Sequence, residues 1–225
     1  MPLATHASLA ILAGVLSPSF ALASQPEGRP IPDRLTHVVN AYANFHPDGT
    51  RLVYQSDATG RWQLSTINVD GSNPRQLFVS PGNDITPVWS PDGTKIAFVS
   101  ERDGNREVYV CNADGSNQVN LSNNPGHDIH PCWSADGSRI IFSSNRGKAD
   151  RDDYDIYEMG ADGTNVRAIT TGPEIDTYAS WSPDGTKIVT RRVINNKRNN
   201  EVFVMNADGS HPVNLTNSPL DYDGW

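Results

Sequence analysis

An all-β fold is what this sequence predicts, and three observations predict it. Short runs rich in Val, Ile, Phe and Tyr alternate apolar and polar residues with period two, as half-buried strands do. The 18 Gly and 16 Pro cluster between those runs, in stretches such as SPDG and NADG that read as tight turns. The pattern also recurs: WSPDGTKI stands at Trp89–Ile96 and again at Trp181–Ile188, with near-copies FHPDGTRL at Phe45–Leu52 and WSADGSRI at Trp133–Ile140.

From the N-terminus, LAILAGV (Leu9–Val15) is an apolar core and Ala21-Leu22-Ala23 an A-x-A cleavage site, so residues 1–23 read as a secretory signal peptide. Residues 24–36 are a lead-in that can supply a closing strand, and the repeats occupy 37–225. No second long apolar stretch follows, so no transmembrane segment is expected in the mature chain.

The aromatic residue before each DG turn marks a unit. Phe45, Trp89, Trp133 and Trp181 are 44, 44 and 48 residues apart. A second marker closes each unit: VDGSN (Val69–Asn73), ADGSN (Ala113–Asn117), ADGTN (Ala161–Asn165) and ADGSH (Ala207–His211). Extra residues fall between the markers of the third and fourth units, at GKADRDD (147–153) and NNKRNN (195–200), where an exposed loop is expected.

Within the second unit ITPVW, KIAFVS, EVYVCN and NQVNLS are four strands joined by hairpin turns. In SPDG, Pro91 presets φ, Asp92 suits the third turn position and Gly93 the fourth. A four-stranded meander cannot bury both faces alone. Stacked radially, each sheet covers its neighbour, and a repeat of about 40 to 45 residues is the signature of such a β-propeller. The anchor Trp is then an apolar wedge between blades.

Five residues before each anchor stand Asn40, Asp84, Asp128 and Asp176, and the same position recurs at Asp221. The chain is therefore expected to hold four blades plus the first strand of a fifth, as a fragment of a longer propeller. The alternative is four blades closed by terminal strands that complete one sheet.

The run PVWSPDGTKIAFVSERDGNREVYVCNADGSNQVNLS (Pro87–Ser122) resembles the repeat of the TolB-type six-bladed propeller family, and the resemblance covers roughly residues 33–225. It implies six blades and a periplasmic or secreted location. In that family TolB itself belongs to the Tol–Pal envelope system: its propeller binds the lipoprotein Pal and a separate N-terminal α/β domain contacts other partners. Here the repeats begin soon after the expected cleavage site, which departs from that pattern. Similar repeats occur in propellers that precede prolyl-oligopeptidase-type hydrolase domains and, more remotely, in oligogalacturonate lyases that bind a metal.

Repetition also sorts the candidate functional residues. The turn aspartates Asp48, Asp92, Asp136 and Asp184 recur in every unit and read as structural. The Asp84, Asp128, Asp176, Asp221 column is expected where first strands ring one mouth of the channel, held by backbone bonds or by a cation or polar ligand. Two residues on, the column varies: Tyr42, Thr86, His130, Tyr178, Asp223. Variation there is where ligand choice can reside. His127 and His130, three apart on a strand, are expected to face opposite ways and not to share a metal.

KADRDDYD (Lys148–Asp155) lacks the central Gly and distant Glu of a calcium hand and reads as a charged loop, while RRVINNKRNN (Arg191–Asn200) reads either as a solvated basic face or as a docking patch for an acidic partner. Cys111 and Cys132 lie inside apolar runs and read as packed free thiols, the alternative being a disulfide formed in an oxidising compartment. A net charge of −8 disfavours nucleic acid and anionic membrane as partners. No G-x-S-x-G elbow and no phosphate loop are present.

The expected function is an exported module that binds a protein or envelope component, with no cofactor and no catalysis of its own. Its candidate site is Asp84, Asp128, His130, Asp176, Tyr178 and Asp221 at the channel mouth. The alternatives are a polysaccharide lyase or hydrolase with its site near His130 and Asp128, or the propeller part of a prolyl-oligopeptidase-type peptidase.

Overall fold

The computed structural model describes residues 38–148, 152–194 and 199–217. The expected signal peptide and lead-in, the tip of each insertion, and Asp221 lie outside them. Among the described residues the fold is all-β, and no helix is long and apolar enough to cross a membrane.

Among the described residues sixteen strands form four four-stranded sheets, each a simple antiparallel meander. The first blade comprises β1 (Asn40–Phe45), β2 (Arg51–Ser56), β3 (Gln63–Asn68) and β4 (Arg75–Gln76). The second comprises β5 (Asp84–Trp89), β6 (Lys95–Ser100), β7 (Glu107–Asn112) and β8 (Val119–Asn120). In the third are β9 (Asp128–Trp133), β10 (Arg139–Ser144), β11 (Asp155–Gly160) and β12 (Arg167–Ala168). The fourth has β13 (Ile175–Trp181), β14 (Lys187–Ile194), β15 (Asn199–Asn206) and β16 (Val213–Asn214).

Two details of these elements add to the expected meander. The fourth strand of each blade pairs over only two residues, because the chain then leaves the ladder: Leu121 N donates to Val108 O and Ser122 Oγ accepts from Val108 N. In the fourth blade β14 and β15 run to eight residues each and pair as far as Ile194 with Asn199.

Each corner repeats one hydrogen-bond pattern. In the second blade Gly93 N donates to Ser90 O, while the Asp92 carboxylate accepts from Ser90 Oγ, Thr94 N and Thr94 Oγ1. The same bonds from Ser182 and Thr186 hold Asp184 near 2, well below the usual carboxylate value.

Blades meet through apolar clusters. Trp89 joins Val53 and Leu64 of the first blade to Ile96, Phe98 and Cys111 of the second. Trp133 joins Ala97, Val108 and Val110 to Ile140, Phe142 and Met159, and Trp181 packs on the cluster of Ile141, Ile156 and Ile188. The three Trp anchors are therefore wedges, and burying each such side chain contributes roughly 1.5–3 kcal/mol, while the Phe45 anchor is exposed. Cys111 and Cys132 are free thiols within these clusters, and burial pushes the Cys111 thiol up to about 12.

The second marker is explained by the same stacking. Gly163 has φ +83, and a Cβ there would lie 2.9 Å from Leu121 O of the preceding blade, whereas Gly71 (φ +82) has open space around it. Gly71→Ala should cost only the left-handed strain, about 1 kcal/mol. Gly163→Ala should add an overpacking term of about 1–3 kcal/mol against a backbone atom that cannot step aside. Urea midpoints of the two variants check this, and equal losses would show that the marker serves the turn alone.

Candidate ligand site on the first strands

The first strands of successive blades lie side by side, and each carries a bulge at the same place. Pairing slips between Ala41 and Asn44 in β1, Ile85 and Val88 in β5, Ile129 and Cys132 in β9, and Thr177 and Ser180 in β13. The first extra residue of each bulge is left-handed: Tyr42 (φ 50), Thr86 (φ 51), His130 (φ 55) and Tyr178 (φ 57). These are the four described members of the variable column. Left-handed φ costs a residue with a Cβ about 1–2 kcal/mol, and a β-branched Thr is an outlier there. Four strained residues in register re-aim four side chains, as bulges do beside functional sites.

All four line a cavity of about 550 Å³. Its apolar wall is Ile85, Ile129, Ile175, Val99 and Val193, part of one buried cluster with Tyr154. Its polar lining adds Thr177, Arg191 and Asn200 from the fourth blade, Arg106 from the β6–β7 loop and Asp152 from the β10–β11 loop. His130 stacks on Tyr178 with ring centroids 3.8 Å apart and an interplanar angle of 26°. Arg191 lies over the other ring of that pair, its Cζ 5.2 Å from the Tyr178 centroid. Burial, helped by the charges of Arg191 and Arg106, lowers His130 to about 4, so its imidazole is neutral at physiological pH.

Of the six residues expected to form the site, His130 and Tyr178 line the cavity. Asp84, Asp128 and Asp176 do not. They are buried, each ion-paired within its own blade: Asp84 with Arg102 at 3.2 Å, Asp128 with Arg146 at 3.0 Å and Asp176 with Arg192 at 2.8 Å. Instead of repelling one another around an opening, these carboxylates are neutralised one layer behind it. The sequence carries the signal, since Arg102 and Arg146 each follow their aspartate by 18 residues, and Ala58 holds that place where the column has neutral Asn40.

His127 sits apart, in a cleft with Asn105 and Lys148, its Nδ1 accepting from Arg106 N. In the acidic insertion Lys148 occupies the centre, 2.8 Å from Asp155 and 3.6 Å from Asp153. Among the described residues no three His, Cys, Asp or Glu side chains converge as a metal would require. Sequence reasoning missed Arg106, Asp152 and Tyr154, which reach the cavity from loops with no repeat signature. It also missed the bulges, although Pro87 and Pro131 inside first strands mark two of them.

The family model for the TolB beta propeller domain matches residues 75–223, more than half of the chain. The chain belongs to the TolB β-propeller family. Among solved structures, a protein described as a TolB from Agrobacterium tumefaciens superposes with a TM-score of 0.68 at 24% identity, covering 76% of this chain and 63% of that one. TolB from Acinetobacter baumannii gives 0.68 at 22% identity, covering 79% and 43%. A puromycin-hydrolysing peptidase of Mycobacterium tuberculosis gives 0.61 at 13% identity, covering 79% of this chain and 29% of the peptidase. These similarities share the fold, and the chain spans less than two thirds of the length of each protein. Each of the four described blades places one residue of the variable column on this cavity.

Proposed function

We propose that this TolB-like propeller is an exported binding module, its mature part beginning after Ala23, which acts in the periplasm or outside the cell. Its cavity seats a segment of a protein or envelope component. The observation that carries this reading is the in-register set of strained, variable residues Tyr42, Thr86, His130 and Tyr178 around one cavity of ligand size. The lyase reading draws no support from Asp128, because that carboxylate is buried against Arg146.

A photo-crosslinking amino acid tests it. Placed at Thr86, it should capture one envelope component in intact cells, while placed at the exposed Val69 on the β3–β4 turn it should not. Tyr178→Ala should cut the yield at least about tenfold, as expected for an aromatic anchor. Equal capture from Val69 and Thr86, or retention of the chain in the cytoplasm, would overturn the reading.

A further inference from the structure

We propose that the cavity receives a carboxylate, carried by the bound segment, between the guanidinium groups of Arg191 and Arg106, with the apolar or planar body beside that carboxylate seated against the His130–Tyr178 pair. The inference rests on the binding role proposed above and gives it a chemistry.

Two successive arginines are used in opposite ways. On β14, Arg192 is consumed inside its blade, donating through Nε and Nη2 to both oxygens of Asp176 at 2.8 and 2.9 Å. Arg191 points the other way, into the cavity. Among the described residues no carboxylate lies within ion-pair distance of Arg191, and its buried Nε has no acceptor. A guanidinium that is half-dry and unmatched is costly unless something completes it. Arg106, across the cavity, is bound by Nε to Glu101 at 3.0 Å and remains exposed. Asp152 is the one carboxylate among the lining residues, and it is exposed.

Three further lining atoms are buried without partners: His130 Nδ1, Thr86 Oγ1 and Thr177 Oγ1. A hydroxyl can donate, and a neutral imidazole can donate from the nitrogen that carries its proton. Together with Arg191 Nε they form a set of unmatched groups able to meet an anion. Burial is the main reason that His130 is lowered, and the charges of Arg191 and Arg106 add to it by raising the potential at its ring. A cation would enter against that potential, whereas a carboxylate would enter with it.

The test follows the Cε1–Hε1 resonance of His130 in the whole chain by NMR, assigned by its loss in His130→Ala. The probes are acetyl-Phe-Glu-Phe-amide, its Gln counterpart, benzoate, benzamide and calcium chloride. The Glu peptide should shift the resonance saturably and bind at least about tenfold tighter than the Gln peptide, the scale of one charge-assisted hydrogen bond. Arg191→Gln, with an unchanged circular dichroism spectrum, should erase that preference. If benzoate binds better than benzamide while the Glu peptide does not bind, the carboxylate comes from a free acid, and the segment-binding reading fails while the anion site stands. If Glu and Gln peptides bind alike, if calcium alone shifts the resonance, or if nothing does, the carboxylate site is overturned whatever the crosslinks from Thr86 show.

Discussion

Arg102→Met should lower stability by about 3–5 kcal/mol near neutral pH, because it strips the partner from a carboxylate with no route to water. The Arg102 guanidinium donates to Asp84 Oδ1 at 3.2 Å, to Gln118 Oε1 at 2.6 Å and to Ser100 Oγ at 2.8 Å. It also lies 4.6 Å from the Tyr109 ring centroid, so its stem and plane cover aromatic surface as well. Asp84 is 0% exposed, and burial already pushes its carboxyl above 3.8 against the opposing hydrogen bond of Ser100 and the charge of Arg102. Without the arginine that value rises further. A folded carboxylic acid with a raised pKa binds more protons than the unfolded chain does, so stability falls as pH rises through its folded pKa. The deficit of the variant should therefore be fully present above that pKa and shrink as pH is lowered toward 3.8. Urea unfolding across this range measures it, and adding Asp84→Asn should recover much of the loss near neutral pH. A deficit that ignores pH and the second substitution would assign the cost to lost packing.

This pair shows where the sequence is legible and where it is not. The blades are readable because each needs the same corner and the same wedge, so Trp89, Trp133 and Trp181 recur with Pro-Asp-Gly or its close variant behind them. A repeat, however, marks a residue as needed by every blade without saying which way it faces. Asp84 and Asp128 lie in first strands, and a strict two-residue alternation cannot show that each folds back on an arginine 18 positions later. The bulges break the alternation at the one position that matters for the cavity. His130 and Tyr178, 48 residues apart, become stacked neighbours only because two bulges rotate both side chains toward one space. Arg106 and Asp152 come from connections, where composition carries no position. The scaffold is encoded locally and repeatedly, while the site is assembled once, from the departures.

Trp133→Ala should cost about 3–5 kcal/mol, the scale of emptying a buried aromatic site. The indole is 8% exposed between Val108 and Val110 of one blade and Phe142 and Met159 of the next. Its Nε1 has no acceptor, so Trp133→Phe forfeits area and volume but no hydrogen bond and should lose distinctly less. Phe45→Ala provides the contrast at the equivalent repeat position: that ring is 64% exposed in this chain, and the change should stay within about 0.5 kcal/mol. Blades contact chiefly their neighbours, so a weakened interface also lowers the coupling between the pairs on either side. Transitions of Trp133→Ala followed by tryptophan fluorescence and by circular dichroism should separate, while those of Phe45→Ala should coincide with the parent chain. Equal costs at the two anchors would show that the repeat position, and not burial between blades, sets the contribution of the aromatic.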